Sequence, residues 1–358
     1  LTGLRTTLPR LNAEEFTENI PGLIFAMFMA LCGYAIWTQF KPISALMWSF
    51  LIGIAASNIL EIPDKVSKGL GYSSSSLLKL SIALLGLVTS ASVWLVVGVG
   101  VINAIVIVLF AFITSIILGK RLGISNRLAI LIGVGTSICG ASAIAAVAPA
   151  IGAKEEEIGI AISGITLFGL ISMFLYPYLF TNTAVFDWFL GNPMVYAIWV
   201  GSGVHESAQV LVAASTLSPE YMQPALIIKS IRIFMIAPIV LASTFYLNRL
   251  ESEKGKLTAR VSVPLFAIVF LVNSLVSAGL SSVINPAFHG AWIIAKTALK
   301  SSIIPFLLSI AFAGVGSKVR FSDIAKVGLK PFGFAALMSI MTGVVALGMA
   351  VFIAPYIA

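Results

Sequence analysis

Apolar runs of about twenty residues, separated by short stretches carrying charge, glycine or proline, follow one another along almost the whole chain. They predict eleven membrane-crossing helices at roughly 21–38, 43–60, 75–96, 97–119, 128–150, 158–180, 194–215, 222–248, 262–282, 301–317 and 331–356. Runs of this length match the hydrocarbon thickness of a bilayer, and the apolar-polar alternation of barrel strands is missing. The expected fold is an all-α integral membrane protein. The longest hydrophilic connections are 249–261 and 283–300. In the second, Trp292 and Ile293 stand between His289 and Lys296, which predicts an amphipathic turn at the external interface.

Of the 358 residues, 59% are hydrophobic and 10% charged. A soluble domain draws about a quarter of its residues from charged types, so lipid must be the solvent. The formal charge of +8 would suit nucleic acid, yet the 22 Lys and Arg lie scattered between hydrophobic segments and read as topology signals. If every helix crosses, 15 of them fall on the N-terminal side and 4 opposite, with Lys79, Lys229 and Arg232 inside helices. This predicts a cytoplasmic N-terminus and an external C-terminus. Residues 1–20 form a polar cytoplasmic segment without the apolar region of a signal peptide, and 21–358 a single transmembrane domain. Cys32 and Cys139 have no CxxC or Cys/His spacing, so no disulfide framework, metal or cofactor is implied.

Two internal echoes point to duplication. Gly140-Ala141-Ser142-Ala143 resembles His205-Glu206-Ser207-Ala208 at a shift of 65, with Glu155 falling on Glu220. Leu80-Ser81-Ile82-Ala83 resembles Leu308-Ser309-Ile310-Ala311 at a shift of 228. With helix 1 (21–38) set aside, about 43–180 and about 194–356 make two five-helix halves that begin on opposite faces, the plan of an inverted-repeat secondary transporter. That plan pairs helix 5 with helix 10, whereas the first echo pairs helix 5 with helix 7. Similar small-residue composition is the competing explanation of both echoes.

Three segments interrupt the apolar pattern. In the fifth helix, Gly133-Val134-Gly135-Thr136-Ser137-Ile138-Cys139-Gly140-Ala141-Ser142 holds three glycines and three hydroxyls, which lowers helix propensity. A break is expected, with Thr136 or Ser137 capping a half-helix that continues outward through Ala148. Its N–H groups and positive dipole end suit an anion; close helix packing is the alternative. In the seventh helix, Gly201-Ser202-Gly203-Val204-His205-Glu206-Ser207-Ala208-Gln209 sets an ionisable pair inside the membrane. Glu206 is the candidate for the coupling proton or cation. His205 is a proton carrier or a packing residue, and Gln209 offers an amide. In the eighth, Lys229 and Arg232 share a helix face and either bind an anion or pair with Glu206. Lys79, read near the cytoplasmic end of the third helix, is expected to snorkel. The substrate set is therefore Thr136, Ser137, Cys139, Gly140, Ser142, Ser202, Gly203, Gln209, Lys229 and Arg232, with Glu206 and His205 handling the coupling ion.

The run from Gly135 to Ala146, Lys154-Glu155-Glu156-Glu157 after it, and His205-Glu206-Ser207-Ala208-Gln209-Val210 together resemble the YeiH family, whose members carry a sulfate-exporter designation. The likeness runs from the second helix to the C-terminus. Relatives often have His-Asp where Glu206 stands, and Lys79 occupies a place where arginine is expected. The resemblance implies a bacterial inner-membrane secondary transporter related in fold to the cation/proton antiporters and bile-acid transporters, with crossed broken helices in a core that moves against a panel domain.

The leading expectation is therefore alternating-access transport of a small anion, sulfate or an organosulfur compound, coupled to a proton or monovalent cation. A cation/proton antiporter using Glu206 is the alternative. An intramembrane enzyme is remote, because His205 and Ser207 point about 200° apart on a helix. No GxxxxGK[ST] motif provides for ATP. Lipid is the expected partner, and a homodimer is left open.

Overall fold

The computed structural model describes residues 13–40, 44–89, 95–182, 193–251, 265–283, 286–322 and 328–356. Among these, seven helices are long and apolar enough to cross a membrane: Thr17–Gln39, Asp64–Leu87, Gly100–Arg121, Glu155–Asn182, Pro219–Leu250, Gly290–Gly316 and Leu329–Ile353. The chain divides into two units, residues 1–81 with 305–320, and residues 82–304 with 321–358.

The first unit contains α1 (Ala13–Gln39), α2 (Ala45–Ile59) and α3 (Asp64–Tyr72). A π-turn at Ser73–Leu77 leads α3 into α4 (Leu78–Leu87). The α1 and α3 backbones touch where Gly22 meets Gly69: a Cβ on Gly22 would lie 2.5 Å from the Gly69 Cα. Small residues at such crossings let helices gain dispersion energy without any hydrophobic drive from lipid. Ser73 Oγ donates to the Ile310 carbonyl at 2.7 Å, and Lys68 pairs with Glu18 at 2.9 Å on an exposed end of the unit. The third predicted helix thus begins eleven residues earlier than its apolar run, at Asp64.

In the second unit, α5 (Leu95–Arg121) leads to α6 (Asn126–Ser137) and α7 (Ala141–Val147), followed by α8 (Glu155–Asn182). Next come α9 (Pro193–Gly203), α10 (Ser207–Leu217), α11 (Met222–Ile233) and α12 (Ile236–Glu251). The remaining helices of this unit are α13 (Leu265–Val283), α14 (Pro286–Ala298) and α16 (Leu329–Ile353), while α15 (Ile304–Gly316) belongs to the first unit.

The fifth and seventh predicted helices break as expected, but neither continues across. Arg127 Nε donates to the Ile151 carbonyl at 3.0 Å, although a straight helix would hold those residues about 36 Å apart. Tyr196 Oη donates to the Ala213 carbonyl at 2.6 Å, against about 25 Å for a straight helix. Both segments are therefore helix-turn-helix hairpins, not outward-running half-helices or crossed broken helices. In the first, Ile138 leaves the helix and Gly140 takes φ +68°, ψ −131°, a backbone region that side chains disfavour. The second turns at Glu206, which is extended at φ −103°, ψ 147°.

Helix α8, about 42 Å long, carries one hairpin mouth at each end. At its start Ser125 Oγ, the cap of α6, donates to Glu157 Oε1 at 2.5 Å. At its finish the rings of Phe180 and Tyr196 lie 4.8 Å apart. The hairpins enter from opposite ends of one spanning helix. Two missing crossings cancel, so the sides of later helices keep the parity read from the charges, and Lys154 moves to the side of Arg127, strengthening the asymmetry. Impermeant maleimide is therefore expected to label Leu122→Cys and Ala153→Cys from the same side of oriented vesicles, and Ser218→Cys from the other. Labelling of Leu122→Cys and Ala153→Cys from opposite sides would restore a crossing helix.

Two other boundaries differ from expectation. From Pro286 onward the connection 283–300 is helical, not an amphipathic turn: α14 runs into α15 through a π-turn at Leu299–Ile303. The wide turn ends just before Pro305, whose missing N–H and bulky ring a regular helix would have to absorb as a kink. The connection 249–261 lies outside the described residues except for its first part, which extends α12 to Glu251.

Candidate functional site

The two hairpin tips meet about halfway along α8. Gly140 at the first tip lies against Glu206 at the second, so closely that a Cβ on Gly140 would sit 2.5 Å from the Glu206 Cγ. The half-buried Glu206 carboxylate accepts from Thr166 Oγ1 of α8 at 3.4 Å. The Glu206 N–H donates to Gln209 Oε1 at 3.1 Å, and Gln209 Nε2 donates to the Thr166 carbonyl at 3.2 Å. Glu206 and Gln209 form a capping box, which satisfies N–H groups at the start of α10 while holding the carboxylate near a positive dipole end.

Behind the tips, α11 contributes two fully buried cations. Arg232 Nε donates to Ser137 O at 2.6 Å, Nη1 to Gly201 O at 3.0 Å and to Ser202 O, and Nη2 to Thr136 O at 3.2 Å and to Ser137 O. A guanidinium has five N–H groups, and here it makes five hydrogen bonds to four carbonyls. Lys229 Nζ donates to Val204 O at 2.8 Å. Carbonyls at a helix C-terminus are unpaired and carry the negative dipole end. Arg232 neutralises those of α6 and α9 together, so its donors are engaged by protein backbone instead of pointing at a ligand.

The imidazole of His205 faces away from this carboxylate network. Its Nε2 lies 3.1 Å from Ser339 Oγ on α16, and Nδ1 has no hydrogen-bond partner among the described residues. Ser202 Oγ donates to Asn103 Oδ1 of α5 at 2.7 Å. Trp199 Nε1 donates to the Gly343 carbonyl at 3.0 Å, and its ring stacks on Tyr176 at 4.2 Å. Gly203 admits that tyrosine: a Cβ there would be 2.6 Å from its ring.

Of the residues singled out in the sequence, Gly140, Glu206 and Gln209 gather at the tip contact. Thr136, Ser137 and Ser202 enter through their carbonyls, while the Thr136 and Ser137 hydroxyls donate within α6, to Ile132 O at 2.7 Å and Val134 O at 3.4 Å. Cys139 is buried at the first tip, and Ser142 is exposed on α7. Thr166, Asn103 and Ser339 were not singled out; each is one of a few scattered polar residues in an apolar helix, a pattern shared with ordinary packing positions. Among the described residues no group of three His, Cys, Asp or Glu side chains is placed to hold a metal.

The family described as conserved hypothetical protein 698 matches residues 21–335. The chain is 32% identical to a UPF0324 membrane protein of Pseudomonas aeruginosa, over 90% of this chain and 91% of that protein. It is 30% identical to the UPF0324 inner membrane protein YeiH of Salmonella typhimurium, over 87% and 88%. With YeiH of Escherichia coli K12 it shares 29% identity, over 89% and 90%. No solved structure matches the chain.

Proposed function

The chain belongs to the conserved hypothetical protein 698 (UPF0324, YeiH) family of membrane proteins, and on that premise we propose that it is a secondary transporter moving a small anion across the bacterial inner membrane by alternating access. The observation that carries this reading is the meeting of two oppositely entering hairpins at Gly140 and Glu206, which holds a carboxylate about halfway along the spanning helix α8. Carboxylates at such a depth are costly and usually serve an ion pathway. Two cations against one carboxylate leave the region net positive, which favours an anionic cargo. The N-terminus is cytoplasmic and the C-terminus external in this reading.

The same geometry supports an inverted repeat in which both sequence echoes hold. The first hairpin with α8 corresponds to the second hairpin with α11–α12, at the shift of 65 that aligns Glu155 with Glu220, and their opposed mouths give the inversion. The helix α3–α4 corresponds to α14–α15, each with a π-turn, at Ser73–Leu77 and Leu299–Ile303. The second half is thus circularly permuted, and helix 5 pairs with helix 7 instead of helix 10.

In proteoliposomes, Glu206→Gln is expected to abolish proton-driven anion accumulation, because it keeps the shape and removes the titrating charge. Unchanged, still pH-dependent uptake would sink the proposal. The oxygens of Glu206, Thr166 and Gln209 also favour a second reading, cation/proton antiport. Thermal stabilisation by sodium or potassium, with sulfate and thiosulfate inert, selects it.

A further inference from the structure

Lys79 was expected to snorkel from the end of its helix, and the helix start at Asp64 removes that route. Lys68 marks the solvated end: it pairs with Glu18, and both side chains are 62% exposed. Eleven residues of helix place Lys79 about 16 Å further along, close to the middle of a hydrocarbon core about 30 Å thick. That distance exceeds the reach of a four-carbon stem. Lys79 is nonetheless exposed. An ammonium at mid-depth that is neither buried in protein nor within reach of the interface belongs to a water-filled path.

The residues before it fit a ligand contact. The π-turn at Ser73–Leu77 lies on the same helix, and such turns recur at functional positions. Ser74 and Ser75 donate their hydroxyls to the Gly71 carbonyl at 2.9 and 2.8 Å, and Ser73 donates to Ile310 O. Ser76 is half-buried and one turn before Lys79, on the same face. An ammonium with three donors beside a hydroxyl can bind a tetrahedral oxyanion.

We propose that Lys79 and Ser76 form an anion-binding subsite in an aqueous path at mid-membrane depth, a proposal that rests on the anion reading above. The subsite takes a small oxyanion of the sulfate type. Its residues are distinct from the Glu206 carboxylate that handles the coupling ion.

The test labels Lys79→Cys and Ser76→Cys with a charged methanethiosulfonate, using wild type as the baseline for Cys32 and Cys139 and the exposed apolar neighbour Leu80→Cys as the control. Both are expected to react, Leu80→Cys is not, and sulfate or thiosulfate is expected to slow the reaction at Ser76→Cys. In parallel, Lys79→Ala is expected to raise the apparent Kd for thermal stabilisation by sulfate about tenfold or more, equivalent to about 1.4 kcal/mol, while Lys79→Arg largely retains it. No reaction with the charged reagent, or reaction that neither anion slows, overturns the subsite. Sulfate stabilising Lys79→Ala as well as wild type overturns the subsite and leaves the anion reading standing. Failure of both anions to stabilise wild type brings down the anion reading and the subsite with it.

Discussion

Arg232→Met is expected to leave little folded protein, with a thermal midpoint in detergent far below wild type or no monodisperse peak on size exclusion. The substitution keeps most of the stem volume but strips the donors from the carbonyls of Thr136, Ser137, Gly201 and Ser202. A buried polar group left unpaired costs about 1–3 kcal/mol, and four of them approach the whole stability of an ordinary domain, about 5–15 kcal/mol. Arg232→Lys offers three donors on one nitrogen and cannot fork between two helix ends, so an intermediate loss is expected. Electrostatics alone would make the lysine variant nearly as stable as wild type. A midpoint for Arg232→Met within a few degrees of wild type would mean that the tips do not depend on this clamp.

The clamp shows where sequence reasoning reaches its end. Glycines and hydroxyls clustered within a few positions, and charges that are costly and therefore rare inside apolar runs, located both tips and α11 by number. The partners of those charges were not legible. Glu206 was the obvious counter-ion for Arg232, yet the guanidinium is occupied by main-chain carbonyls, which every residue possesses and no sequence marks. Direction was hidden for a similar reason. Between Ser137 and Ala141, and between Gly203 and Ser207, a few backbone angles decide whether two short helices continue or fold back, and glycine permits both. The charge asymmetry did not reveal the error because two miscounted crossings restore parity. The shift-65 echo conflicts with an inverted arrangement only if both segments cross.

Gly140→Ala is expected to lower stability by about 1–3 kcal/mol and to reduce anion transport at least tenfold where Glu206→Gln also abolishes its coupling. Two causes add at one atom. The φ of +68° strains any side-chain-bearing residue, and the new Cβ falls 2.5 Å from the Glu206 Cγ, 3.2 Å from its Oε1. The contributions separate in a double-mutant cycle, because Glu206→Ala removes the Cγ and its carboxylate but leaves the backbone strain. If the tips touch as described, Gly140→Ala costs less stability in the Glu206→Ala background than in wild type, a coupling of about 0.5–3 kcal/mol. Strictly additive losses would place the hairpin tips apart, and the contact on which the proposed role of Glu206 rests would go with them.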